Sequence, residues 1–144
     1  MNLINKLKTM SVADIFSNLI NESSEDEKYQ DDIHILLKAM INASKADGFI
    51  DEKEQDRIIE FMGNLSDEEK LFVKKEMEKP LDIETFLKEI PKGMEKQVYY
   101  MSLFAIDLDV EAEKNYLEIL EKKLHLTEDE IHDIKDDLGI SAFV

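Results

Sequence analysis

Apolar residues in this chain recur at intervals of three and four, the spacing that lines one face of an α-helix, and no stretch alternates as a strand does. Only two prolines and four glycines interrupt the pattern, so helix is expected nearly throughout. The amino terminus, MNLINKLKTMSVADIFSNLI, places Leu3, Ile4, Leu7, Ile15, Phe16, Leu19 and Ile20 on one or two short amphipathic helices. These are expected to dock on the body, with a weak membrane or partner contact as the alternative. The polar segment NESSEDEKYQDD, Asn21 to Asp32, is expected to act as a linker. The chain thus divides into an amino-terminal helical segment with its acidic linker, 1–27, and a helical domain, 28–144.

Within that domain a long helix is expected from about Lys28 to Ala46, burying Ile33, Leu36, Leu37, Met40 and Ile41, with Gly48 closing it in the left-handed conformation glycine adopts cheaply. A second runs from Glu52 toward Gly63, with Ile58, Ile59, Phe61 and Met62 inside. SDEE, Ser66 to Glu69, is a capping box: a serine accepts from the backbone three residues on, and the glutamate there reaches back. Its helix must stop before Pro80, because a residue preceding proline is pushed out of helical geometry. A short helix capped by Asp82 carries Ile83, Phe86, Leu87 and Ile90 before Pro91. MEKQVYYMSLFAI is apolar almost all round from Val98 to Ile106, the pattern of a buried central helix. A helix from Val110 to Lys123 follows. A last one opens on a second capping box, Thr127 to Glu130, carries Ile131, Ile134 and Leu138, and ends at Gly139.

A weak duplication runs through this order. ILLKAMINASKADGFIDEKEQDRII aligns with VYYMSLFAIDLDVEAEKNYLEIL when one residue is dropped between the aspartate and the glutamate. Each copy is an apolar helix, an acidic turn and an amphipathic helix, so that Asp47 corresponds to Asp107 and Glu54 to Glu113. If the halves pack about a pseudo-twofold axis, the two acidic turns face one another.

Charge narrows the function classes. The net charge is −16, from 34 acidic and 18 basic residues. Nucleic-acid binding needs a basic footprint that displaces counterions, and none is present. Cations and basic protein surfaces are the partners such a charge favours. With no cysteine, thiolate catalysis, disulfides and Cys-ligated metal sites are excluded. No run approaches the roughly 20 apolar residues of a membrane-spanning helix, and the chain is expected in the cytoplasm.

The acidic turn KADGFIDEKE invites comparison with an EF-hand, which needs oxygen ligands at loop positions 1, 3 and 5, glycine at 6 and glutamate at 12. Counted from Asp47, position 3 is Phe49, position 6 is Glu52 and position 12 is Ile58, so this is not an EF-hand. Capping explains part of the cluster: Asp51 serves as N-cap and Glu54, at N3, returns the hydrogen bond. Asp47 is not needed for that cap, and Asp107 and Asp109 repeat the excess. Carboxylates converging from two turns suit a hard cation. Asp31-x-x-His34 and Asp129-x-x-His132 share the acid-x-x-His spacing of di-iron bundles, but those sites use glutamate and inward-facing ligands. His125 reads as a structural residue between helices. The chain has no phosphate-binding glycine loop, nucleophile elbow or H-E-x-x-H.

AMINASKADGFIDEKEQDRI and YMSLFAIDLDVEAEKNYLEIL, with PLD at Pro80 to Asp82 and AID at Ala105 to Asp107, resemble the TerB-like, tellurite-resistance-associated helical domain. The likeness is closer to its uncharacterised bacterial branch, a family of unknown function that includes predicted inner-membrane proteins. It spans about Asp32 to Leu138. The resemblance implies an all-α fold: a single compact bundle of seven or eight helices in two pseudo-symmetric halves. It also implies an acidic cluster that holds a divalent cation. Carried onto this sequence, the ligands are Asp47, Asp51 and Glu54 from the first turn and Asp107, Asp109 and Glu113 from the second. Calcium or magnesium is favoured, with manganese and zinc as the other candidates. Relatives of this branch often have a glycine- and alanine-rich or membrane-associated amino-terminal extension; residues 1–27 do not resemble one, so membrane residence is not expected from the resemblance. The chain also has Leu108 where the first turn has Gly48, which makes the turns unequal.

These readings converge on a non-enzymatic, acidic helical module that binds a divalent cation and serves sensing or scaffolding in a stress response. It would be cytoplasmic, with peripheral contact at the inner membrane and a protein partner of basic surface. One alternative is a purely structural interaction domain in which the acids only cap helices. Another is a metal-dependent hydrolase, with Glu54 or Glu113 as its base.

Overall fold

The long apolar pattern beginning near Ile33 becomes helix α1, Asp26–Ser44, whose Ile33, Ile35, Leu36, Leu37, Ala39, Met40, Ile41 and Ala43 are all buried. A helix buried on so much of its circumference has to be covered by several others. The computed structural model describes residues 26–46, 48, 50–63, 65–106 and 111–137. The expected amino-terminal helices, the closing Gly139 and the inward Leu138 lie outside those residues. Helix α1 starts two residues earlier than expected, so the second half of the polar segment is helical. It contains no glycine or proline, and acids are favourable in the first turn, at the positive end of the helix dipole.

Six further helices follow: α2, Glu52–Met62; α3, Asp67–Glu78; α4, Ile83–Glu89; α5, Glu95–Ala105; α6, Glu111–Lys123; and α7, Glu128–Asp137. No strand occurs among the described residues. The fold is an all-α bundle. Helix α5 buries Val98, Tyr99, Met101, Ser102, Leu103, Phe104 and Ala105, and it packs along α1 as the central pair. Helices α3, α4 and α6 lie against α1, α6 and α7 against α5, and α2 against α3. Each fully buried Leu, Ile or Met in this centre contributes about 1.5–3 kcal/mol of transfer free energy. Polar atoms within the pair are satisfied locally: Ser44 and Ser102 donate back to the Met40 and Val98 carbonyls at 3.0 and 2.8 Å.

Local chemistry sets the helix ends. The Ser66 hydroxyl accepts from the Glu69 N–H at 3.1 Å while the Glu69 carboxylate accepts from the Ser66 N–H at 2.9 Å, and Thr127 and Glu130 repeat the pair at 3.1 and 2.9 Å. Asp82 accepts from the Thr85 N–H and hydroxyl at the head of α4. At Asp51 only half of the expected box forms: its Oδ1 accepts from the Glu54 N–H at 2.8 Å, and the Glu54 carboxylate does not return a bond to the Asp51 N–H. Gly48 does take a positive φ, of 135°, but α1 has already ended at Ser44. Lys45 and Ala46 form a tight turn first, with the Ala46 N–H bonded to the Ala43 carbonyl.

Helix α6 ends on a Schellman motif. The Leu126 N–H donates to the Glu121 carbonyl and the His125 N–H to the Lys122 carbonyl, at 3.4 and 3.3 Å. His125 holds the left-handed position at φ 56°, where glycine is usual, so its role is structural as the sequence suggested.

Candidate functional site

The first acidic turn leaves α1 at Ser44 and enters α2 at Glu52. Asp51 is exposed and acts as the N-cap of α2, and Glu54 is half-buried in the first turn of that helix. Beside them Gln55, only 6% exposed, donates its amide nitrogen to the Ile50 carbonyl at 2.9 Å. Its Oε1 is buried without a partner among the described residues. At the second turn Glu113 is buried in the first turn of α6, two residues after the helix begins. Asp47, Asp107 and Asp109 lie outside the described residues. Among the described residues no three acidic or histidine side chains gather as a metal-holding group. Of the three expected ligands that are described, Asp51 and Glu54 are joined through a main-chain hydrogen bond.

Two of the histidines have partners of another kind. The His34 ring stacks on Phe72 with centroids 4.3 Å apart, and His132 pairs with Asp136 at 3.4 Å on an exposed face.

A second feature is one the sequence reading missed. Three polar residues of α1 and its following turn, Lys38, Asn42 and Lys45, open onto a cleft of about 360 Å³ bounded by the end of α3 and by α4. The Lys45 ammonium donates to the Glu76 and Lys79 carbonyls at 2.7 and 2.9 Å, satisfying the carboxyl end of α3, where cations are favoured. Burial pushes Lys45 below the usual lysine range, the Glu76 carboxylate acts in the opposite direction, and Lys79 adds to the lowering. At the rim Lys38 pairs with Glu89 at 2.7 Å, and its ammonium stands 5.8 Å from the Phe72 ring centroid. Lys79 pairs with Glu76 at 3.0 Å. A signal for this cleft is present in the sequence, since polar residues at 38, 42 and 45, spaced by four and three, interrupt the apolar run that begins at Ile33.

Across α5 and α6, the Tyr99 phenol donates to Glu121 Oε2 at 2.5 Å. Tyr99 is held well above the usual phenol range by burial first, then by that hydrogen bond and the charge of Glu121. Burial alone raises Tyr116, whose hydroxyl has no partner among the described residues.

The helices and caps define an all-helical domain in which an apolar helix is twice followed in the chain by an amphipathic one, α1 by α2 and α5 by α6. The chain belongs to the family described as protein of unknown function (DUF533), whose model matches residues 6–138. It is 28% identical over 106 residues to an uncharacterised protein in the ampR 5′ region of Yersinia enterocolitica, covering 72% of this chain and 76% of that one. No solved structure matches at a significant level. No described helix is long and apolar enough to cross a membrane.

Proposed function

We propose that this chain is a non-enzymatic helical module of the TerB-like kind whose two acidic turns hold a divalent cation and serve sensing or scaffolding in a stress response. The observation that carries the reading is Gln55 Oε1, a buried oxygen with no partner among the described residues, on a side chain anchored to the Ile50 carbonyl immediately before Asp51. An orphaned buried acceptor costs about 1–3 kcal/mol, and a hard cation that takes 6–8 oxygen ligands would relieve it. The burial of Glu113 in the corresponding second unit, and the packing of α1 along α5, support the same reading. Asp47, Asp51, Glu54, Asp107, Asp109 and Glu113 would supply the carboxylates. Asp51 uses Oδ1 for its cap and keeps Oδ2 for a ligand.

A cation bound only by the folded chain stabilises it by about 2.7 kcal/mol at a hundredfold excess over Kd. Thermal melting in calcium, magnesium, manganese or zinc is expected to shift upward for the wild type and not for Asp47→Asn with Asp107→Asn. A shift absent from the wild type, or retained by the double variant, would overturn the reading.

The second reading is a purely structural interaction domain presenting its charge to a basic partner, and the Asp51 cap favours it. It predicts that Asp51→Ala costs about 1 kcal/mol whether or not a metal is present.

A further inference from the structure

Gln55 is 6% exposed, and its amide is fixed at the first acidic turn: Nε2 donates to the Ile50 carbonyl at 2.9 Å, one residue before the Asp51 cap. Because only the nitrogen end can donate, that bond also settles which end of the amide is the oxygen. Oε1, in the same planar group, is buried and has no partner among the described residues. The helix it belongs to opens on acids. Asp51 caps it through Oδ1, and Glu52 and Glu54 stand in its first turn, where they offset the positive end of the helix for an incoming cation.

The burial of Oε1 decides what kind of ion can meet it. An oxygen that water does not touch is reached only by an ion that has shed its own water on that side. Calcium takes six to eight oxygens in flexible geometry, at about 2.3–2.6 Å, and neutral Asn and Gln carbonyls are among its usual ligands. Magnesium demands a near-ideal octahedron at about 2.0–2.1 Å and dehydrates reluctantly, so it keeps several waters and takes one or two carboxylates. The Gln55 amide is also tied to the main chain through Nε2, which restrains it from closing on a smaller ion. A dry, neutral and anchored oxygen suits calcium and not magnesium.

We propose that Gln55 Oε1 is a direct ligand of the cation at the first acidic turn and that it selects calcium over magnesium. This ligand, whose role rests on the cation reading above, is an oxygen outside the six expected carboxylates. Glu54, one residue earlier, is only half-buried and offers a charged carboxylate that either ion accepts. Discrimination between the two ions therefore falls to the amide.

The test is calorimetric titration of the full chain with calcium chloride and with magnesium chloride, together with carbon-13 NMR of protein labelled on glutamine. Wild type is expected to bind calcium at least about tenfold more tightly than magnesium. Gln55→Met, which keeps the length of the side chain and loses its oxygen, should weaken calcium binding about tenfold and leave magnesium binding within about twofold, so that the preference collapses. The variant also leaves the Ile50 carbonyl without the Gln55 donor, so its titrations are run well below its melting temperature, and NMR of the wild type gives a readout that needs no substitution. There the Gln55 side-chain carbonyl should shift with calcium and stay in place with magnesium. Gln97, whose Oε1 is likewise buried without a described partner but stands between Lys96 and Val98, should move with neither. If neither ion binds, the cation reading and the role of Gln55 fall together. If calcium binds but the Gln55 carbonyl does not move, if magnesium binds wild type as tightly, or if Gln55→Met keeps the preference, the role of Gln55 alone is overturned.

Discussion

The Lys45 ammonium donates to the Glu76 main-chain carbonyl at 2.7 Å, so the residue that follows α1 closes the end of α3. The Lys79 carbonyl completes the grip at 2.9 Å. Lys45→Met retains the aliphatic stem but leaves the Lys79 carbonyl without its donor and the Glu76 carbonyl with the Lys79 N–H alone. It is expected to cost about 1–3 kcal/mol, read as a lower urea midpoint at unchanged slope.

Tyr99 ties α5 to α6 through Glu121, and Tyr99→Phe is expected to cost about 1 kcal/mol. The pH dependence follows from the sign of the shift. A phenol whose folded-state pKa lies above its unfolded value stabilises the fold fully below that unfolded value, about 10, and progressively less as pH rises beyond it. Denaturation followed from neutral pH to above pH 10 should show wild type losing stability more steeply than Tyr99→Phe.

The two complete capping boxes head different helices and share no residue. Ser66→Ala and Thr127→Ala are each expected to cost about 1 kcal/mol, and the double variant about the sum. Chemical denaturation of the two single variants and the double variant checks both the size and the additivity.

His125 occupies a left-handed backbone position at φ 56° with its side chain exposed. An L-residue other than glycine is strained there, whereas glycine is not. His125→Gly is expected to raise stability by up to about 1 kcal/mol, seen as a higher denaturation midpoint. A fall would mean that the imidazole makes a stabilising contact.

Much of the fold was legible because it is written in short-range chemistry. A capping box spans four residues, a proline acts on the residue before it, and the helical period is visible within a few turns. The buried character of α5 could be read from VYYMSLFAI alone. The reading failed where a local pattern permits more than one outcome. The spacing of Asp51 and Glu54 allows a reciprocal box, and the chain made only one of its two bonds. Gly48 could close a helix, yet α1 stopped at Ser44 and the glycine serves the turn that follows.

The candidate cleft was not legible, although its inner residues were in view. Lys38 and Asn42 on α1 and Lys45 just after it form a polar stripe at helical spacing, but nothing local says what they meet. Lys45 bonds carbonyls 31 and 34 positions away, and Lys38 meets a carboxylate 51 positions away. Hydrophobic periodicity and end-capping, acting within a few residues, determined the helices and the order in which they follow. Only the docking of α3 and α4 on α1 decided which main-chain carbonyls would need a donor, because those contacts exist only once distant segments share a core.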